Sequence, residues 1–297
     1  MSKIKTAFLE TRPHFLLLSL ILVLIGSNVA YYQGVSHIPH MVLSLFGLLA
    51  FHISVNVLND YHDFKSGIDL NTKRTPFSGG SGFLPLGKIS PETVKYMGLT
   101  SLGIGCLIGL YLTSKIGWQL VPILLLGIFS VYFYNTFLSK FMLGEIFAGL
   151  GLGLLPVIGV FLVITGRLAA IAFAAGVPSF FLTFNLLFLN EFPDTEADKS
   201  GGRRHLVIML GKKKAGIFYC ITSLSVYIWI SGGVILKIFP MWVLLALLTL
   251  PVSIKAIKGA FFDYDNFEKF IQAQGANIIV VLVTQALFAI GFFIAAF

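Results

Sequence analysis

The chain has 297 residues, 57% hydrophobic and only 11% charged, with a mean hydropathy of +0.89, whereas ordinary soluble domains sit at roughly 45–50% and 25%. That balance leaves too little polar surface to coat a water-soluble globule, and 29 phenylalanines exclude a disordered chain. The net charge of +8 does not describe a nucleic-acid binder, because the cations fall between apolar runs instead of forming one solvated face.

The lipid bilayer is therefore the expected solvent. The opening MSKIKTAFLETRPHF is basic and leads into an apolar run of about 20 residues, too long for a signal-peptide core and without a small-residue cleavage site. It predicts a retained first span over 14–34. Further spans follow at 39–58, 95–114, 117–137, 142–165, 168–189, 215–235, 238–254 and 276–296. The fold class is thus all-α: a polytopic membrane protein of nine transmembrane helices in a single bundle, one domain over 1–297. The eighth span is short and begins near Pro240, which leaves eight as the alternative count. Cys106 and Cys220 lie inside apolar runs and read as small core residues, not as a disulfide or metal site.

Cations decide orientation, since Lys and Arg are retained on the cytoplasmic side. Of 21 Lys and Arg, only Lys115, Arg167 and Lys237 fall in the alternate connections. The N-terminus is expected inside, in a multi-pass cell-membrane protein, and all 13 acidic residues map to the same inner side.

Two inner connections stand out. Residues 59–94 begin NDYHDFKSGID, and residues 190–214 begin NEFPDTEAD. Each starts with Asn, carries an acid one residue on and another four on, then a further Asp, a Gly-containing basic stretch and Leu-Gly-Lys. This pattern predicts an internal duplication with both copies on one side. Asn190, Asp194 and Asp198 are spaced to form one stripe on a continuing helix. Asn59 and Asp63 repeat its opening, but Asp69 follows only after Gly67, which predicts a helix break and a return from a loop.

Oxygen-only ligands favour a hard cation, and Mg²⁺ shares its positions with water and substrate phosphate. The candidate metal ligands are Asn59, Asp63, Asp69, Asn190, Asp194 and Asp198, the four aspartates being the catalytic candidates. Lys73 and Arg74 follow the first cluster; Lys199, Arg203 and Arg204 follow the second. Such cations beside a carboxylate-bound metal describe a diphosphate site. Several other residues read as structural. GGSG at 79–82 reads as a flexible turn, His62 and His205 as surface residues, and Tyr132 and Tyr134 as an interfacial belt. Asn56, Asn135 and Asn185 are expected to face the bundle interior.

The two motifs resemble the paired aspartate-rich motifs of the UbiA superfamily of intramembrane prenyltransferases, and the resemblance runs from Arg12-Pro13 to the last span. It implies transfer of a polyprenyl group from its diphosphate to a small acceptor, with Mg²⁺ held by the aspartates. The six-residue gap from Asp63 to Asp69 is similar to the branch acting on 1,4-dihydroxy-2-naphthoate, an aromatic acceptor, in menaquinone synthesis; 4-hydroxybenzoate or geranylgeranylglyceryl phosphate are the alternatives. Arg12, Lys140 and Glu145 are candidate acceptor contacts. A transporter would instead carry ionisable groups near the midplane, and an assembly factor would need no metal.

Overall fold

A computed structural model describes residues 2–297, and every regular element among them is helical. The first is α1 (Lys3–Glu10), capped by Ser2, whose hydroxyl accepts the Lys5 N–H at 3.3 Å. A turn through Arg12, at φ +53, and Pro13 delays α2 to Leu17–Tyr32, three residues later than the predicted start at 14. Next comes α3 (Ile38–Ser66), begun by His37, whose ring nitrogen accepts the His40 N–H. It runs well past its apolar stretch and stops only at Gly67, whose φ of +81 is open to glycine. One turn, α4 (Ile68–Asn71), follows at once.

After a long loop, Ser90 caps α5 (Pro91–Ile116), which packs along α3. Then come α6 (Leu120–Phe133) and α7 (Gly144–Thr165), the latter interrupted by a π-helical turn at Leu150–Leu154. The 31-residue α8 (Ala170–Ser200) is followed by the short α9 (Leu206–Leu210), α10 (Lys212–Ile235), α11 (Met241–Phe262) and α12 (Phe267–Ala295). The first half of α11 is 3₁₀-helical.

Seven of these helices, α3, α5, α7, α8, α10, α11 and α12, are long and apolar enough to cross a membrane. The shorter apolar helices α2 and α6 coincide with predicted spans one and four. The main core gathers Leu22, Ile25, Phe161, Val281 and Phe288 where α2, α7, α8 and α12 meet. Cys106 and Cys220 are half-buried free thiols, not the small core residues expected.

Two backbone irregularities are repaired from neighbouring helices. Pro178 removes the N–H that would serve the Ala174 carbonyl, and the indole N–H of Trp229 on α10 donates to that carbonyl at 2.9 Å. In the π-turn Leu152 leaves helical geometry, and the Thr183 hydroxyl donates to its carbonyl at 2.6 Å. Past Pro178 and Pro193, α8 continues unbroken to Ser200 and carries its polar end to the same face of the bundle as the end of α3.

Candidate active site

The two acidic segments meet, and Arg203 joins them. Its Nη2 pairs with Asp63 of α3, and its Nη1 donates to Asp198 Oδ1 of α8 at 3.2 Å. Asn59, one turn before Asp63, donates to Asp63 Oδ2 at 3.0 Å and to Asn135 Oδ1 at 2.8 Å. Asn135 Oδ1 also accepts from Arg203 at 3.2 Å. On α8, Asn190, Asp194 and Asp198 lie on one face, as their spacing predicts. Gln274 of α12 donates to Asn190 Oδ1 at 3.2 Å. Asp69 returns on α4 after the break at Gly67, and it is buried.

The loop after α4 closes the site from above. GGSG is a folded element and not the flexible turn its composition suggests: the Ser81 N–H donates to Asp60 Oδ2 at 2.9 Å, and its hydroxyl donates to Glu10 Oε2 at 2.6 Å. Gly80 has only a few ångströms of clearance over both Asp69 and Asp60. The Arg74 guanidinium lies where a Cβ of Gly82 would stand. Arg12 pairs with Asp60, tying the N-terminal turn to α3.

Charge is concentrated here with little solvent to screen it. Burial, and then the neighbouring Asp63, push the Asp69 carboxyl up to about 7. Burial likewise raises Glu10, outweighing its hydrogen bond from Ser81. Asp194 Oδ1 is buried without a hydrogen-bond partner, and so is Arg74 Nη2. Crowded carboxylate oxygens with one left unpaired suit a hard cation, and an unpaired guanidinium nitrogen beside them suits an anionic oxygen. The residues therefore fit Mg²⁺ with a phosphate-bearing ligand.

An apolar cavity of about 560 Å³ begins at this polar end. Arg12, Asn56, Asn59, Tyr134 and Asn190 line it near the carboxylates, and Leu112, Leu120 and Val163 line its far end. From Tyr134 back to Leu120 the helical rise alone gives a length of about 21 Å. Tyr134, expected in an interfacial belt, instead forms part of this wall; Tyr132 is exposed.

The remaining cations divide. Arg74 and Arg203 turn inward, whereas Lys140, Lys199 and Arg204 are exposed and Lys73 lies 3.9 Å over the ring of Phe267. His205, expected at the surface, is 3% exposed, because its ring caps α9 by accepting the Ile208 N–H. Asn135 and Asn185 are buried, as expected of polar groups among apolar helices. Sequence reasoning counted Asp60 and Glu191 as parts of the repeated pattern without giving them a task, and gave Glu10 none. The signal available for Asp60 and Glu191 was their repetition directly after the motif asparagines.

Comparison with known proteins agrees with this geometry. The UbiA prenyltransferase family matches residues 19–266. The 1,4-dihydroxy-2-naphthoate octaprenyltransferase of Bacillus subtilis (strain 168) is 30% identical over 252 residues, covering 84% of this chain and 80% of that protein. A digeranylgeranylglyceryl phosphate synthase of Pyrococcus horikoshii is also 30% identical, over 242 residues, covering 79% of this chain and 81% of that one. Among solved structures, a UbiA homolog from Archaeoglobus fulgidus bound to GPP and Mg²⁺ shares the fold, with a TM-score of 0.62 at 15% identity over 98% of this chain and 99% of that one. The chain belongs to the UbiA prenyltransferase family and is a membrane prenyltransferase.

Proposed function

We propose that the enzyme transfers a polyprenyl group from its diphosphate to 1,4-dihydroxy-2-naphthoate, within one prenyltransferase domain over 1–297. The observation that carries this reading is the meeting of two aspartate motifs, through Arg203, at the polar end of an elongated apolar cavity. The 1,4-dihydroxy-2-naphthoate octaprenyltransferase of B. subtilis at 30% identity and the six-residue gap between Asp63 and Asp69 favour that acceptor. The synthase of P. horikoshii, at the same identity, makes a glyceryl phosphate acceptor the second reading.

Asn59, Asp63, Asp69, Asn190, Asp194 and Asp198 are the residues that would hold Mg²⁺, which when bound supplies Lewis-acid neutralisation of the departing pyrophosphate. Arg203 and Arg74 donate hydrogen bonds to the diphosphate oxygens, where their charge counts most as the C–O bond breaks. Lys73, Lys199 and Arg204 supply further positive charge at the mouth. The apolar walls house the prenyl chain and keep water from the allylic carbon. Arg12 and Lys140 orient the acceptor, whose electron-rich carbon forms the new bond; from a naphthoate the carboxylate leaves as carbon dioxide. Nine spans, with α2 and α6 as the first and fourth, put the motifs on the cytoplasmic side.

Asp63→Ala and Asp194→Ala are each expected to abolish prenyl transfer while the protein stays folded in detergent, and EDTA to do so reversibly. Undiminished turnover in either variant would overturn the metal assignment. Labelled polyprenyl diphosphate offered with a panel of acceptors, followed by mass analysis, decides the acceptor: a glyceryl phosphate product without a naphthoate product selects the second reading.

A further inference from the structure

Beside the motif aspartates, and using none of the six residues proposed to hold Mg²⁺, three buried side chains converge. They are Glu145 in the first turn of α7, Glu191 on α8 and His205 at the start of α9, 0%, 9% and 3% exposed. One potential ligand atom from each lies within 4.8 Å of the others. Glu145 Oε1 accepts the Leu206 N–H at 2.6 Å, but Glu145 Oε2 and Glu191 Oε2 have no hydrogen-bond partner. Two buried carboxylates face each other only with a cation or a shared proton between them.

The histidine favours the cation. Its Nδ1 accepts the Ile208 N–H at a long 3.4 Å, which puts the ring proton on Nε2. Nε2 in turn lies 3.4 Å from Asp198 Oδ2. Nδ1 also lies 3.6 Å from Glu191 Oε2, the spacing expected of two ligands each about 2.1 Å from one ion, and an ion there takes the single lone pair in place of the long Ile208 contact. A ring with one nitrogen toward a ligand cluster and the other N–H toward a carboxylate is the usual setting of a metal-binding histidine.

We propose that Glu145, Glu191 and His205 form a second divalent-cation site, selective for a borderline first-row ion such as Zn²⁺. One imidazole with two carboxylates is a softer donor set than the oxygen-only aspartate motifs, so Mg²⁺ competes poorly for it. The ion ties α7, α8 and the turn before α9 together. That turn carries Arg203, so the site positions the residue that joins the two aspartate motifs.

The test uses full-length protein in detergent, stripped with chelator, returned to excess Mg²⁺ and titrated with Zn²⁺, with bound metal counted by mass spectrometry after desalting. One Zn²⁺ per chain is expected in the wild type and in Asp63→Asn. Affinity is expected to fall roughly tenfold or more in Glu191→Gln and in His205→Gln. Added Zn²⁺ should raise the melting temperature of the wild type and not of these two variants. No Zn²⁺ retained against Mg²⁺, undiminished binding in His205→Gln, or loss in folded Asp63→Asn would each overturn the proposal; the first outcome assigns the carboxylates a shared proton instead. Should the variants not fold, Co²⁺ in the wild type decides: X-ray absorption must find an imidazole nitrogen ligand in the presence of Mg²⁺, and an oxygen-only shell refutes the site.

Discussion

Gly82 and Arg74 occupy one space between them. With φ at +86 and the Arg74 guanidinium where a Cβ would be, Gly82 is the floor on which that side chain lies. Gly82→Ala is expected to push the guanidinium out, since the displaced atoms end a flexible chain, and to strain the loop locally, since alanine is disfavoured at a φ of +86. A hydrogen bond to a charged group contributes about 1.5–3 kcal/mol, so the KM for the prenyl diphosphate should rise roughly tenfold or more. Steady-state kinetics beside Arg74→Ala checks this, and an unchanged KM would show that Arg74 does not reach the diphosphate. At this scale the sequence was partly legible. Spacing pointed to Asn59, Asp63 and Asp198, which the structure brings together, but it could not separate the inward Arg203 from the exposed Lys199 and Arg204. Which cation turns inward depends on the chain reversal at Gly201 and on Gly202, whose φ is +83, a backbone event with no periodic trace. His205 was misread for a related reason: capping α9 buries its ring.

At the scale of elements, periodicity and the break at Gly67 were readable because helix geometry fixes which residues share a face. Departures from regular helix were not. The left-handed Arg12 delays α2, and the π-turn in α7 sits where that helix packs against α8. Gly153 shows that contact's tightness: a Cβ there would meet the Ser179 carbonyl oxygen at 2.6 Å, and backbone cannot swing aside. Gly153→Ala is expected to destabilise the bundle by about 1–3 kcal/mol, the usual range for overpacking. Gly159→Ala on the same helix, where the nearest atom is the Ile123 methyl at 3.4 Å, should be tolerated. Melting temperatures in one detergent compare them, and equal values would mean that the α7–α8 approach is not tight.

For the whole molecule, charge was the most legible property, because its distribution survives without coordinates. The asymmetry of Lys and Arg predicts an inner N-terminus and, for nine spans, an outer C-terminus. A C-terminal alkaline phosphatase fusion should therefore be active and a green fluorescent protein fusion dark; the reverse pair would contradict nine spans. The cavity was not legible, since it is bounded by helices far apart in sequence, α3, α5, α6, α7 and α12.

The two helices that carry the motifs, at 29 and 31 residues, are also longer than a membrane requires. At 1.5 Å per residue they reach roughly 44 and 46 Å, against about 30 Å of hydrocarbon. Their polar ends thus stand in the headgroup layer while the cavity between them lies in oil. For a donor with a charged head and a greasy tail, breaking the bond between the two leaves each fragment in the phase that dissolves it. On the function proposed above, pyrophosphate diffuses into water and the prenylated product into lipid, so partition draws the reaction forward and the products part along the axis on which the helices are aligned.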